Sequence, residues 1–139
     1  MAESLNYSFD LPVYPERVYR AWLDGAEHRP ITGRKARIDA TVGGAFLLLD
    51  GQVSGSFTTL TPHDRIVQTW QMDGQEQPGQ VELVLEPTCT GTELKLRQTG
   101  IAPGKTREMI EWWEKTYFRH MKAHFEGIVG DYVADMGDG

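Results

Sequence analysis

The sequence has 139 residues, 24% of them charged and 40% hydrophobic, with 20 acidic against 14 basic side chains and a formal net charge of -6. That size and balance predict one soluble domain over residues 1–139, ordered from about 4 to 133, and exclude a disordered or collagen-like chain. The acidic balance argues against nucleic acid or an anionic membrane as the main partner, because both are bound largely through Lys and Arg. The only dense basic stretch is Arg34, Lys35 and Arg37.

Residues 1–10 hold no basic segment followed by an apolar run, and no window approaches the roughly 18 to 20 apolar residues that span a bilayer. The single cysteine, Cys89, sits in a turn sequence between Pro87 and Gly91 and has no partner for an internal disulfide. Together these predict a cytoplasmic protein with no membrane insertion.

In chain order, Leu5, Tyr7 and Phe9 alternate with polar residues, the period of a half-buried strand over 4–10. Pro15 suits a first helical position, and Val18, Ala21 and Trp22 share the face of a short helix ending near Gly25. A polar stretch with Pro30 and Gly33 follows, with room for a second helical turn. Strands are predicted over 36–40, 45–49, 52–60, 65–72, 80–86 and 92–99. Asp50-Gly51 supplies two-residue hairpin chemistry that needs positive φ, and Gly55 marks a bulge or bend. Connections this short make an antiparallel meander.

A long helix is predicted from about 106 to about 133. Ile110, Trp113, Tyr117, Met121, His124 and Ile128 recur at helical spacing, and Phe118, Phe125 and Val129 widen the stripe. Gly127 and Gly130 weaken its end. Such a helix is about 42 Å long, against about 37 Å for the diameter of a compact chain of this size. It must therefore lie along the sheet. A sheet of six or seven twisted strands curls away from a straight rod, which predicts a cavity between them.

The candidate lining of that cavity is Phe46, Leu48, Phe57, Trp70, Leu83 and Leu96 from the strands, with Trp113, Tyr117, Met121 and His124 from the helix. An apolar lining with a few polar tips is the usual composition of a small-molecule site, and equally that of a filled aromatic core. His120 and His124 have metal-binding spacing, but no third ligand stands at a recognised distance in sequence, so no metal and no cofactor are expected. Trp112 falls off the main stripe and would mark a contact surface if exposed. There is no G-x-S-x-G, no glycine-rich phosphate loop and no H-E-x-x-H, and the catalytic residues, if any, are unknown.

Phe9-Asp10-Leu11-Pro12-Val13 leading into Pro15-Glu16-Arg17-Val18-Tyr19-Arg20-Ala21-Trp22 has a familiar order, as do Thr32-Gly33 and Gly43-Gly44-Ala45-Phe46. So do Ile66-Val67-Gln68-Thr69-Trp70, Gly91-Thr92-Glu93-Leu94, Gln98-Thr99-Gly100-Ile101 and Trp113-Glu114-Lys115-Thr116-Tyr117-Phe118. In this order the chain resembles homologues of the activator of the 90-kDa heat-shock-protein ATPase, in the START-like and Bet v 1-like (SRPBCC) superfamily. The resemblance implies an α+β helix-grip fold, a curved antiparallel sheet wrapped around a long C-terminal helix, with two short helices after the first strand.

That resemblance covers only the C-terminal domain of the eukaryotic co-chaperone; the Asn- and Trp-rich activating motif of its N-terminal domain has no counterpart here. Superfamily members hold lipids, sterols, flavonoids or polyketides in the cavity, and a few are cyclases. The expectation is a small hydrophobic or aromatic ligand of lipid, flavonoid or polyketide class. A surface that modulates a chaperone ATPase is the alternative. A cyclase- or hydrolase-like enzyme pairing Tyr117 with His124 is a third reading, and a homodimer through Trp112 or a strand edge is compatible with each.

Overall fold

The computed structural model describes residues 2–137, with side chains through Ile128. Strand β1 (Glu3–Leu11) is followed by helices α1 (Pro15–Trp22) and α2 (Gly25–Thr32). Six further strands run as a meander: β2 (Arg37–Ile38), β3 (Ala45–Leu48), β4 (Val53–Thr61), β5 (Arg65–Met72), β6 (Gly79–Pro87) and β7 (Thr92–Ile101). The sheet is antiparallel throughout, in the order β1-β7-β6-β5-β4-β3-β2, so β1 and β2 are its edges. The chain closes with α3 (Thr106–Trp113), a π-helical turn over Glu114–Phe118 and α4 (Arg119–Gly137).

The fold is the expected helix-grip arrangement, and the differences are local. Strand β2 pairs for two residues, not five, because Asp39 and Thr41 fold into a turn whose hydroxyl and carboxylate meet at 3.0 Å. Helix α2 runs through Pro30 and stops at Gly33, which takes a left-handed φ of 76° that costs glycine little. The β3–β4 connection does use positive φ at Asp50 and Gly51, as the hairpin chemistry predicts. Leu49 joins them at φ 54°, so the ladder closes at the Leu48–Val53 pair and residues 49–52 form the connection. Gly55 is not the bulge: the register slips further along, between Phe57 and Thr59.

The long helix carries its stripe inward. Trp113, Tyr117, Phe118, Met121 and Phe125 are buried, while Ile110, His124 and Ile128 are half-buried. The side chain of Val129 lies outside the described residues. In an ideal α-helix Phe118 would point about 140° away from Trp113. The wider i→i+5 winding of the π turn swings it back. The two rings stack at 5.4 Å and 15°, and Phe118 also meets Phe9 and Tyr7 of β1 at 4.2 and 5.1 Å. A staple ties the start of this helix to the sheet: Glu3 Oε1 accepts hydrogen bonds from the Thr106 hydroxyl at 2.8 Å and the Gly104 N–H at 3.1 Å.

Candidate functional site

Between helix and sheet the aromatic residues form a continuous layer. Trp70 of β5 lies 4.9 Å from Trp113, and Trp22 of α1 lies 5.2 Å from Tyr117; Phe46 and Phe57 close the sheet side at 5.3 Å from each other. Nine of the ten candidate lining residues (Phe46, Leu48, Phe57, Trp70, Leu83, Leu96, Trp113, Tyr117 and Met121) belong to this one core, each no more than 2% exposed. Rings meet across the space a guest would need.

Two glutamines place the polar tips. Phe57, Gln68, Val81, Gln98 and Leu5 form one cross-strand row over β4, β5, β6, β7 and β1. Gln68 and Gln98 are buried at inward positions of that row. Gln68 Oε1 accepts from the Trp22 indole N–H at 2.9 Å, and Gln98 Oε1 from the Trp113 indole at 2.7 Å. Each buried indole and amide therefore satisfies the other, which a buried polar pair requires. The indole of Trp70 has no such acceptor among the described residues, although the residue is fully buried.

His124, the tenth candidate, is elsewhere. Its Nε2 lies 3.0 Å from Glu27 Oε2, and Arg17 Nη2 lies 2.7 Å from Glu27 Oε1, so these three side chains link α4, α2 and α1 at the surface of the layer. Partial burial pushes the Glu27 carboxyl up, but the hydrogen bonds from His124 and Arg17 and the charge of Arg17 outweigh it and hold the group below the usual carboxylate range.

The partner of Tyr117 is His28, which the sequence reading did not single out. His28 Nε2 lies 2.8 Å from the Trp22 carbonyl, and a carbonyl only accepts, so Nε2 carries the proton. Nδ1 is then the acceptor for a long hydrogen bond from the Tyr117 hydroxyl at 3.4 Å. Burial pushes the His28 pKa down and the Tyr117 pKa up, so both stay neutral. Tyr117 and His124 therefore do not form the acid–base pair anticipated from their spacing. The pair that does exist is sealed from solvent, His28 being 2% exposed and Tyr117 1%.

A pH dependence follows from His28. The unfolded chain binds a proton near the ordinary value of 6.5 while the folded chain resists it, so stability is full above that value and declines as pH falls toward the depressed folded value. Thermal unfolding between about pH 7 and about pH 5 should show a falling Tm, and His28→Gln, which keeps a donor for the Trp22 carbonyl, should flatten that part of the profile.

Two sizeable cavities lie at the margins of the aromatic layer, and another of about 410 Å³ is lined by β1, β6 and β7, with Asn6, Glu82, Lys95 and Arg97 among its residues. One recess of about 380 Å³ lies between sheet and helix, with Met72, Gln98 and Ile101 on the strand side and Lys105, Glu108, Met109 and Trp112 on the helix side; the β5–β6 loop residues Asp73–Gln75 complete it. Trp112 is thus half-buried in its wall, edge-on to Trp70 at 6.1 Å and to Trp113 at 5.1 Å, and is no free contact surface. The second, about 590 Å³, is a groove between α2 and the β2–β3 edge. Among the described residues no group of three or more His, Cys, Asp or Glu has the geometry to hold a metal ion, and no helix is long and apolar enough to cross a membrane.

A curved seven-stranded sheet, two short helices after β1 and an aromatic C-terminal helix also mark a protein family in sequence. Residues 12–126 match the model of the Activator of Hsp90 ATPase homolog 1-like protein family. The chain belongs to this family. It is 29% identical over 113 residues to the human activator of 90 kDa heat shock protein ATPase homolog 1, covering 80% of this chain but 33% of the relative. It thus spans about a third of the length of that relative.

Solved structures of similar proteins include protein CV1439 from Chromobacterium violaceum, with a TM-score of 0.73 and 28% identity over 88% of this chain and 96% of that one. PFC0360w, an HSP90 activator from Plasmodium falciparum, shares the fold at a TM-score of 0.75 and 23% identity, over 94% and 96% of the two chains. The family match runs from α1 into α4, so the Trp22–Gln68, Trp113–Gln98 and His28–Tyr117 contacts of this activator-homolog-like domain all fall inside it.

A closer reading of the alternation on β5 and β7 would have exposed the glutamines, since a polar residue at an inward strand position must find a buried partner. His28 and Ile31, three apart and both buried, form the inner face of α2, but eight residues interrupted by Pro30 carry too little periodicity to single it out.

Proposed function

We propose that this domain is a binding module for a small hydrophobic or aromatic molecule, held in the recess between the sheet and α3. The observation that supports the reading is the join between that recess and the aromatic layer. Its Trp112 wall is backed by Trp70, whose buried indole N–H has no protein acceptor among the described residues. Trp70 is itself fully buried and does not line the recess, so the guest would rest on Trp112 and not on that donor. The recess volume lies within the ordinary range for small-molecule sites, roughly 300–1,000 Å³. None of the ten anticipated lining residues lines this recess; Trp70, Trp113 and Tyr117 stand behind its Trp112 wall, and Met72, Gln98, Met109 and Trp112 would be its contact surface.

Native mass spectrometry and thermal-shift screening against lipids, flavonoids and polyketides test this. A ligand present at about 100 times its Kd should stabilise the fold by about 2.7 kcal/mol, and Met109→Arg, which puts a long charged side chain on the recess wall, should abolish that shift. No co-purified mass and no stabiliser across the screen would sink the reading.

A second reading is favoured by family membership: contact with a chaperone ATPase, as the human relative's name describes for that protein. Among the described residues the exposed large apolar side chains, Tyr14, Val42 and Leu47, are the places to look. An unchanged ATPase rate of a 90-kDa heat shock protein on addition of the domain, with no complex on a sizing column, would exclude it.

A further inference from the structure

The groove between α2 and the β2–β3 edge has a composition at odds with the rest of the molecule. The chain carries a net charge of -6, yet Arg29, Lys35 and Arg37 converge on this one groove with Asp50 as the only acid in its lining. No carboxylate lies within ion-pair distance of any of the three cations among the described residues. Asp50 is already engaged: its Oδ1 accepts the Lys35 backbone N–H at 3.0 Å, and its own N–H donates to the Lys35 carbonyl at 3.0 Å. Between the cations the lining is apolar, with Ala26 on α2, Ala36 ahead of β2 and Leu47 on β3.

The backbone is shaped to keep the groove open and its charges in place. Arg37 and Leu47 are direct cross-strand partners, so a cation and a large apolar side chain stand side by side on the outer face. Leu47 remains 44% exposed there, although inward Phe46 and Leu48 are buried. Helix α2 begins against the strand at Gly25, where a Cβ would stand 2.6 Å from the Ala36 carbonyl oxygen. Leu49 and Asp50 hold left-handed φ of 54° and 58°. Each costs about 1–3 kcal/mol, and the reciprocal clamp on Lys35 retains them. The strain fixes the segment that carries one of the three cations.

We infer that this groove is a second binding site, independent of the recess under α3, for a small amphiphile with an anionic head, its carboxylate or phosphate paired with Arg29, Lys35 and Arg37 and its apolar tail laid on Ala26, Ala36 and Leu47. Charge complementarity selects the head, since three cations without partners make a neutral head the poorer occupant. Ala26 and Ala36 leave room for the tail, and Leu47 supplies the larger apolar surface it packs on.

Isothermal titration with monomeric dodecanoate, dodecyl phosphate, dodecanol and propionate tests the site, in the wild-type chain and in two variants. One is the triple variant R29Q/K35Q/R37Q and the other is Leu47→Glu; all four positions are exposed, so both variants should fold. Dodecanoate or dodecyl phosphate should bind, weaken as salt screens the head, and weaken roughly tenfold or more in either variant. Which of the two binds more tightly identifies the head. Dodecanol and propionate should bind at least roughly tenfold less well.

Equal binding of dodecanol, or undiminished binding by the triple variant, overturns the proposal. So does binding to vesicles containing an anionic lipid without binding to either monomeric anion. If binding of the anions is instead lost in Met109→Arg and kept in the triple variant, they occupy the recess, and the groove site falls while the recess reading stands.

Discussion

Trp113→Ala is expected to remove a large share of the domain's stability and lower its urea midpoint strongly. The indole is fully buried and touches Trp70, Trp112, Tyr117 and Phe118 at centroid distances of 4.9 to 5.6 Å. Deleting a ring of this kind costs about 3–5 kcal/mol. It also strands Gln98, 3% exposed, whose Oε1 loses its donor, at a further cost of about 1–3 kcal/mol. A domain typically has about 5–15 kcal/mol in total. Urea unfolding followed by far-UV circular dichroism reads the loss as a fall in the midpoint.

Trp113→Phe separates the two contributions. It restores most of the ring volume but not the donor, so the remaining deficit belongs to Gln98, and adding Gln98→Met should recover part of it in a double-mutant cycle. If Trp113→Ala loses less than about 1 kcal/mol, the filled aromatic layer is not what holds the helix to the sheet.

The second large effect is expected at Gly55. This residue faces Phe46 across the β3–β4 ladder, and a Cβ there would stand 2.3 Å from the Thr69 carbonyl oxygen and 2.8 Å from both the Phe46 ring and the Thr69 hydroxyl. The carbonyl belongs to the central strand β5 and the hydroxyl accepts the Ser56 N–H at 2.9 Å, so neither can retreat without breaking pairing. Gly55→Ala should therefore cost about 3 kcal/mol, at the upper end for overpacking. Gly74→Ala is the control: a Cβ there meets nothing within 4 Å, and its penalty comes only from the left-handed φ of 83°. A lower urea midpoint for Gly55→Ala than for Gly74→Ala checks the prediction. Equal losses would mean that the close approach at β5 relaxes freely.

Gly55 also illustrates how much a sequence alone conveys. A glycine within an alternating strand signals something unusual in the backbone, but a bulge and a close carbonyl look the same until the neighbouring strand is in place. The strands themselves were legible because alternation is local: β5 over Arg65–Met72 was read to the residue, and the others to within a few residues at each end. Strand β2 is shorter than its alternation over 36–40 suggests, because that local pattern does not reveal the turn at Asp39 that ends its pairing.

The candidate lining divides in the same way. Spacing along one helix places Trp113, Tyr117 and Met121 on its buried face. It could not show that His124 turns to Glu27 of α2, 97 residues away, or that Tyr117 meets His28, 89 residues away. The π turn is likewise invisible to a fixed helical period, and so is the wall Trp112 forms, because the recess is built from the distant β5–β6 loop and the end of β7.

Period and turn chemistry thus determined an antiparallel meander followed by a long amphipathic helix, because those signals are written within a few consecutive residues, and the helix-grip family came from the resemblance of ordered motifs along the chain. Whether the space between rod and sheet stays hollow was decided only by tertiary structure. It depends on how side chains from α1, β5 and α3 meet after the sheet has curled. They meet ring to ring, with each of two buried glutamines satisfying an indole, and the room for a guest is displaced to the margins of the core, where helix and sheet diverge.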